Sequence, residues 1–269
     1  MKICKCNLKS SLRLYWHYVS IHIRSTMQYK SSFFLSTMAQ FLVSFNLLLG
    51  VYFMFHRFSQ VEGFTFSQVL LCFSIFLMEF SLAEVFARGF DMFSSLIKEG
   101  TFDRLLVRPQ SLILQVLGSQ FELSRWGRML QAIVMFIYGI VQSDIHWNVS
   151  KIITILFMLV DGTLLFSAIF LLQAALCFFT LEGLEFMNIF TDGAREYGKY
   201  PIGIYSEPLL KLCTYVVPYA LVQYYPFLYL IDRVNGIQWV LVPLLACWFM
   251  IPSYALWCCG VKKYQSAGS

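Results

Sequence analysis

Three acidic residues in this chain lie inside long apolar stretches: Glu79, Glu84 and Asp161. A carboxylate is costly in such surroundings unless it is paired or used, so each is a candidate for binding a cationic or amphipathic substrate or for relaying protons. Glu84 has Arg88 four residues later, a spacing that also suits a structural ion pair on one helix. Glu79 and Asp161 have no such neighbour, and the alternative for them is a hydrogen bond between helices.

A second polar group follows at Glu122, Arg125 and Arg128, whose three-residue spacing places them on one side of a helix. They would line a vestibule at one end of the protein or extend their charged ends towards water. Glu122 and Arg125 therefore join the candidates for a substrate path.

Other patterns for chemistry are incomplete. Residues 193–200 nearly match the phosphate-binding pattern G-x-x-x-x-G-K-[ST], but the last position is Tyr200 and no buried strand precedes it. Neither H-E-x-x-H nor G-x-S-x-G occurs, and Cys4 and Cys6 have no second Cys or His pair nearby to complete a zinc site. We predict no catalytic residue, metal or nucleotide site here, so energy would have to come from a partner.

The elements that hold these residues must suit a membrane. Of 269 residues, 58% are hydrophobic and only 13% are charged, whereas soluble domains have about 45–50% apolar and about 25% charged residues. The mean hydropathy of +0.66 agrees. This composition excludes a soluble enzyme, a disordered chain and a disulfide scaffold.

Six apolar stretches are candidates for membrane-spanning helices, which need about 20 mostly apolar residues. They lie at about 33–55, 69–90, 112–141, 152–179, 209–223 and 239–259. Residues 224–229 are also apolar but contain Pro226, which favours a short re-entrant or interfacial piece. The predicted fold is an all-α integral membrane protein with six transmembrane helices.

Before the first span, residues 7–30 mix basic with apolar and aromatic side chains, as in an amphipathic helix lying on the bilayer surface. We therefore predict a cytosolic tail and interfacial helix at 1–31, a transmembrane domain at 32–260 and a cytosolic tail at 261–269. With the N-terminus in the cytosol, 17 Lys and Arg residues lie on inner segments and three on outer loops. This positive-inside bias predicts that both termini are cytosolic.

The inner segment between the second and third spans has the features of a short cytosolic helix. Gly100 interrupts the preceding helix, Thr101 is suited to cap a new one, and Pro109 limits its length. Its apolar and charged positions are Phe102, Leu105 and Leu106, then Asp103, Arg104 and Arg108. A short amphipathic helix suits docking in a partner's groove, whereas the alternative is an ordinary basic loop.

This segment also carries a family resemblance. The run Glu99-Gly100-Thr101-Phe102-Asp103-Arg104-Leu105-Leu106-Val107-Arg108-Pro109 resembles the loop between the second and third spans of ABC-2 type transporter permeases, most closely the six-helix branch with a separate ATPase. Similar motifs follow at Gly127-Arg128, Tyr200-Pro201-Ile202-Gly203-Ile204-Tyr205, Pro218-Tyr219-Ala220, Tyr225-Pro226 and Tyr264-Gln265-Ser266-Ala267-Gly268-Ser269. The likeness runs from about residue 100 to the C-terminus, and the N-terminal third matches in layout.

The resemblance implies two cytosolic contacts. The short helix would be the coupling helix that presses on the ATPase, through Glu99, Gly100, Thr101, Phe102, Asp103, Arg104, Leu105, Leu106, Arg108 and Pro109. A second, lesser contact would involve Arg195, Lys199, Tyr200 and Pro201.

The resemblance also implies a complex of two permease chains and two ABC ATPase chains that moves a substrate outward by alternating access. This chain would be the permease subunit of an exporter in a bacterial cell membrane (plasma or inner), beside an identical or related permease. The ATPase would bind ATP and Mg, and the permease would contact the lipid bilayer and no nucleic acid. The alternatives are an ion-coupled secondary transporter or channel that uses the intramembrane carboxylates, and a membrane-embedded enzyme or assembly factor.

Overall fold

The computed structural model describes residues 8–58, 60–143, 145–180 and 185–264, and these ranges are almost entirely helical. The predicted all-helical class is confirmed. The features predicted at Cys4 and Cys6 and after Tyr264 lie outside the described residues. Within these ranges the α-helices are α1 Leu8–Gln28, α2 Lys30–Arg57, α3 Phe66–Asp91, α4 Phe93–Lys98, α5 Thr101–Leu106, α6 Leu112–Leu117, α7 Trp126–Gln142, α8 Val149–Thr180, α9 Asp192–Tyr197, α10 Glu207–Tyr215, α11 Tyr219–Val222, α12 Tyr224–Leu230, α13 Gln238–Leu245 and α14 Met250–Lys263.

Four stretches of the described chain are long and apolar enough to cross a membrane: Lys30–Arg57, Phe66–Lys98, Val149–Thr180 and Gln238–Lys263. They correspond to the first, second, fourth and sixth predicted spans. The end of the bundle at which Phe66–Lys98, Val149–Thr180 and Gln238–Lys263 end is called the base, and the end at which these stretches begin is called the top.

Helix α3 is the centre of the bundle. In its most apolar window 89% of the residues are buried, compared with 17% for α2, because α3 packs against both α7 and α8. A capping box starts it, in which the Thr65 backbone N–H donates to the Gln68 side chain at 3.2 Å. Any side chain on α3 is therefore held mainly by the protein and little by lipid.

The third predicted span, 112–141, is not one continuous helix. Helix α6 ends at Leu117, and Gly118 packs so closely on the Tyr18 ring that a Cβ there would overlap it. The backbone becomes extended at Glu122, makes a 3-10 turn and enters α7 at Trp126. The polar run between the two helices lies at the base, where apolar continuity is not required.

The fifth predicted span, 209–223, is also broken. Pro218 separates α10 from α11, because proline cannot donate the backbone hydrogen bond that a continuing helix requires. The piece predicted at 224–229 forms the short helix α12, and Pro226 sits in its first turn, where that donor is not needed. The chain between α9 and α13 therefore turns repeatedly instead of crossing as one straight helix.

Helix α1 lies at the base. The Tyr15 hydroxyl donates to the Phe86 carbonyl oxygen at 3.2 Å, and a ring nitrogen of His22 lies 3.0 Å from the Gly118 carbonyl oxygen. Burial raises the pKa of the Tyr15 phenol to about 12. Trp16 and Ile21 are exposed, so α1 presents apolar side chains away from the bundle.

The close contact between α2 and α7 can be tested by a substitution at Gly127. A Cβ at Gly127 would overlap the Thr37 carbonyl oxygen on α2, and small residues permit such close helix contacts. We expect Gly127→Ala to lower the free energy of unfolding in detergent micelles by about 1–3 kcal/mol. Gly50→Ala is the control, because nothing lies within 4 Å of its Cβ. Equal stability of the two variants would contradict this packing.

Candidate functional site

Helix α5 forms at the predicted place, with a different start. Gly100 occupies the N-cap position with a left-handed φ of 66°, a conformation that glycine adopts without steric cost. Thr101 is the first helical residue, and its hydroxyl donates to the Leu96 carbonyl oxygen at 3.0 Å instead of capping α5. At the other end, the Gln115 amide donates to the Leu105 and Gln110 carbonyl oxygens, both at 3.2 Å.

Phe102 faces the interior, contrary to the predicted apolar docking edge. It is completely buried, with ring centroids 5.1 Å from Phe93, 5.4 Å from Phe178 and 5.0 Å from Tyr264. We call the group to which it belongs the base aromatic cluster: Phe90, Phe93, Phe102, Phe178, Trp257 and Tyr264. Phe102 therefore anchors α5, and a partner protein does not reach it.

Asp103 is likewise engaged within the chain. Its carboxylate accepts a hydrogen bond of 2.9 Å from the Tyr264 hydroxyl. Burial, together with this hydrogen bond and the nearby negative charge, raises the pKa of the Tyr264 phenol. The inward side of α5 is thus joined to the residue that directly follows α14.

The outward side of α5 and the turn after it are exposed. We call this the base contact surface, and it consists of Arg104, Leu106, Val107, Arg108 and Pro109. Val107 is 85% exposed, and sequence reasoning missed it. The signal available was its position just beyond the last helical turn, where helical spacing no longer decides which way a side chain points. The surface combines two cations with exposed apolar groups.

A buried ion pair lies nearby. Arg128 on α7 is 1% exposed, and its guanidinium donates to the Glu84 carboxylate on α3 and to the Gln40 side chain on α2. The predicted pair of Glu84 with Arg88 is present at 3.7 Å, but Arg128 is the closer partner. Sequence spacing could not reveal this contact because the two residues lie on different helices. The pair connects α2, α3 and α7.

The other path candidates of this region belong to the same network. Arg125 lies 2.6 Å from Glu122 and 3.6 Å from Glu84, and it donates to Gln40 at 2.9 Å. Glu122 lies 3.7 Å from Arg88. Each of these charges has a partner within the chain, so their geometry suits a fixed structural network.

The second predicted cytosolic contact lies elsewhere. The Arg195 guanidinium sits 5.3 Å above the Phe80 ring of α3 and pairs with Asp192. Gly198 packs on Phe76, which lies near the middle of α3, so closely that a Cβ would overlap the ring. The chain after α9 therefore runs along α3 from its base half towards its middle, inside the bundle.

The rest of this predicted contact follows the same course. Lys199 pairs with Glu196 at 2.5 Å, Pro201 is buried, and Tyr200 packs with the apolar cluster around the top half of α3. These residues lie beside α3, and their contact with an ATPase stays a prediction. Gly198, which belongs to the stretch that nearly matches the phosphate-binding pattern, is packed against the Phe76 ring.

Glu79 and Asp161 lie opposite each other between α3 and α8. Both are buried, and a Cβ on the neighbouring Gly162 would overlap the Glu79 carboxyl group. The Cys247 thiol donates to Asp161 at 3.1 Å, while neither Glu79 carboxyl oxygen has a hydrogen-bond partner among the described residues. Both carboxyl groups are buried, and the Glu79 carboxyl group makes no hydrogen bond to Asp161.

No group of three His, Cys, Asp or Glu side chains in the described ranges is placed to hold a metal ion. Among the predicted residues, those on the outward side of α5 are exposed and form a candidate surface for a partner.

The buried pair of Arg128 and Glu84 leads to a quantitative prediction about the free energy of unfolding. Glu84→Gln leaves a buried guanidinium without a carboxylate and should lower the free energy of unfolding by about 3–5 kcal/mol, whereas Glu84→Leu combined with Arg128→Met should lie much closer to wild type. Unfolding in mixed micelles measures both. The control pair is Lys211 and Glu207, which are exposed and whose charged groups lie 2.7 Å apart. Glu207→Gln should lower the free energy of unfolding by less than about 1 kcal/mol. If the double variant Glu84→Leu with Arg128→Met loses as much free energy of unfolding as its two single variants together, or more, the pairing is contradicted.

A family model described as "ABC-2 family transporter protein" matches residues 41–268. No curated protein and no solved structure matches the chain. The match extends over most of the chain, including α5, the buried ion pair and the broken helices before α13. This all-helical membrane protein therefore belongs to the ABC-2 family of transporters, and it is a permease of the ABC transporter class.

Proposed function

We propose that this chain is the permease subunit of an ABC exporter and that separate ATPase subunits drive it by binding and hydrolysing ATP with Mg. The observation that carries the proposal is the base contact surface, an exposed cationic and apolar edge on a short helix whose other side is fixed in the protein core. A surface held in this way can be displaced by a bound partner and can transmit that displacement to the helix bundle.

The composition of the base contact surface indicates the chemistry of its partner. Arg104 and Arg108 supply two positive charges, and Leu106 and Val107 supply exposed apolar area. The complementary groove on the ATPase should therefore have an apolar floor with carboxylates at its rim. Contact at Phe102 is not part of the proposal, because that ring is buried.

We further propose six crossings, with the base in the cytosol of a bacterial cell and the chain in its cell membrane. In addition to the four long stretches, α7 has 17 residues and lies along α3. At about 1.5 Å per residue it is about 25 Å long, slightly short of a hydrocarbon core. The chain from residue 185 to 204, which follows α3 from the base half upwards, would supply the remaining crossing.

A second permease chain is supported by the exposed side of α9. Asp192 and Glu196 are exposed there, beside the base half of α3. Charged side chains at membrane depth face protein or a water-filled cavity and not lipid. We therefore propose that the α9 side of each permease faces its partner across the translocation path.

A second candidate function, ion-coupled transport, is favoured by the two Glu79 carboxyl oxygens, which have no hydrogen-bond partner within the part of the chain that the structure describes. If that function holds, proteoliposomes without ATP should dissipate an imposed pH gradient faster with the wild-type chain than with Glu79→Gln. A pH-sensitive dye inside the vesicles measures the rate. Equal rates would exclude proton coupling through this residue.

The ATPase contact can be tested by introducing a negative charge into the apolar part of the base contact surface. Val107→Asp places a negative charge opposite the carboxylates expected on the partner and should reduce the ATPase recovered by affinity pull-down about tenfold or more. Mass spectrometry of the captured complex identifies the ATPase. Ile237→Asp is the matched control, because Ile237 is 79% exposed but precedes α13 at the top.

The outcomes separate docking from folding. Phe102→Ala should lower stability by about 3–5 kcal/mol as a large core truncation, whereas Val107→Asp should leave the melting temperature unchanged. Failure of the wild-type chain to capture any ATPase, or equal capture by the Val107 and Ile237 variants, would refute the proposed contact.

A further inference from the structure

The base aromatic cluster joins α5 to three membrane-spanning stretches at once. Phe90 belongs to α3, Phe178 to α8 and Trp257 to α14, while Phe93 is the first residue of α4. The ring centroids of Phe93, Phe178 and Trp257 lie 5.0–5.1 Å apart in tilted or edge-to-face pairs, a favourable geometry for aromatic rings. The single ring that α5 contributes, Phe102, closes the cluster from below.

Tyr264 makes the connection specific to α14. Its ring lies 5.0 Å from Phe102 and 5.8 Å from Phe178, while its hydroxyl donates to Asp103 at 2.9 Å. It therefore holds two consecutive residues of α5, one by ring contact and one by a hydrogen bond to a carboxylate. The residue stands immediately after Lys263, where α14 ends.

The covalent route between α5 and the spans is less direct. From α3 the chain passes a break at Met92, the short helix α4 and then Gly100 in a left-handed conformation with open space around it. The helical course is therefore interrupted at Met92 and again at Gly100. The packed contact between the rings has no such interruption, and close-packed interiors transmit strain.

The packing beneath the cluster leaves little room for independent movement. Gly260 on α14 approaches Phe178 on α8 so closely that a Cβ would overlap the ring. A displaced α5 would therefore have to move the base ends of α14 and α8 with it, or break the cluster.

We propose that Tyr264 is a positioning residue that fastens α5 to the base end of α14, so that an ATP-driven displacement of α5 is passed to the last membrane-spanning stretch. The inference rests on the proposed function, because the displacement has to come from the ATPase. The ring of Tyr264 packs against Phe102, and its hydroxyl fixes the position of α5 through the hydrogen bond to Asp103.

The test measures an ATP-dependent distance in the complex of the full chain with its captured ATPase. Spin labels are introduced through unnatural amino acids at Lys262 on α14 and Trp126 on α7, which are both exposed at the base. In the wild-type complex, trapping the ATP-bound state should change the distance between the labels. In Tyr264→Phe the nucleotide-free distance should stay as in wild type, while the population that changes on ATP binding falls about tenfold, the factor expected for one lost hydrogen bond to a charged group.

Three variants show whether the effect is one of coupling. Asp103→Asn retains an oxygen that accepts from the Tyr264 hydroxyl but removes the charge, so it should reduce the ATP-dependent change less than Tyr264→Phe does. Tyr264→Leu removes the ring as well and should abolish the change. Tyr215→Phe is the control, because Tyr215 is exposed on α10 and makes no cluster contact. A purely structural role would alter the nucleotide-free distance or the melting temperature and leave the ATP response intact.

The results also separate this inference from the proposed function. If ATPase capture depends on Val107 but both Tyr264 variants respond to ATP as wild type does, the coupling role is overturned and the ATPase contact stands. If the wild-type complex shows no change at α14 on ATP binding, the coupling role fails as well. If the wild-type chain captures no ATPase, both proposals fail together.

Discussion

The buried pair of Arg128 and Glu84 is the constraint from which the base of the bundle follows. A guanidinium has five N–H donors and cannot lose its charge, so inside an apolar bundle it must be surrounded by acceptors. Glu84 on α3 and Gln40 on α2 accept from its two terminal nitrogens. Three helices therefore have to meet at one depth, and the close approach at Gly127, one residue earlier, makes that meeting possible. The position of α7 and of the 3-10 turn before it is a consequence.

Because the helix ends are fixed in this way, the two sides of the short helix α5 can have different roles. Its inward side presents Phe102 to the base aromatic cluster and Asp103 to Tyr264, while Arg104 and Arg108 remain in solvent. A basic loop without the anchor would present the same charges but would move independently of the spans. Anchorage and exposure on adjacent residues are what make the segment suitable for receiving force.

Sequence reasoning located the elements better than it oriented them. The long apolar runs and the Gly100 interruption predicted where α2, α3, α5 and α8 lie, because these are local properties of the chain. The direction in which Phe102 points is not local, since a short amphipathic helix reads the same whether its apolar edge meets its own core or a partner. The Arg128–Glu84 contact likewise joins residues 44 positions apart, and only Arg88 stood at a spacing that sequence could recognise.

The course of the chain after α9 was the hardest to predict, because its composition resembles a polar loop. Irregular backbone is tolerated at membrane depth only where protein or enclosed water satisfies its polar groups. Here Gln223 donates to the Gly198 carbonyl oxygen at 3.0 Å, and the Tyr219 hydroxyl donates to the Phe190 carbonyl oxygen. Both donors come from the broken stretch that follows, so that stretch satisfies carbonyl oxygens of the earlier irregular segment. Pro218 prevents a straight fifth helix, and the break thereby allows Tyr219 and Gln223 to lie beside the segment that contains Phe190 and Gly198.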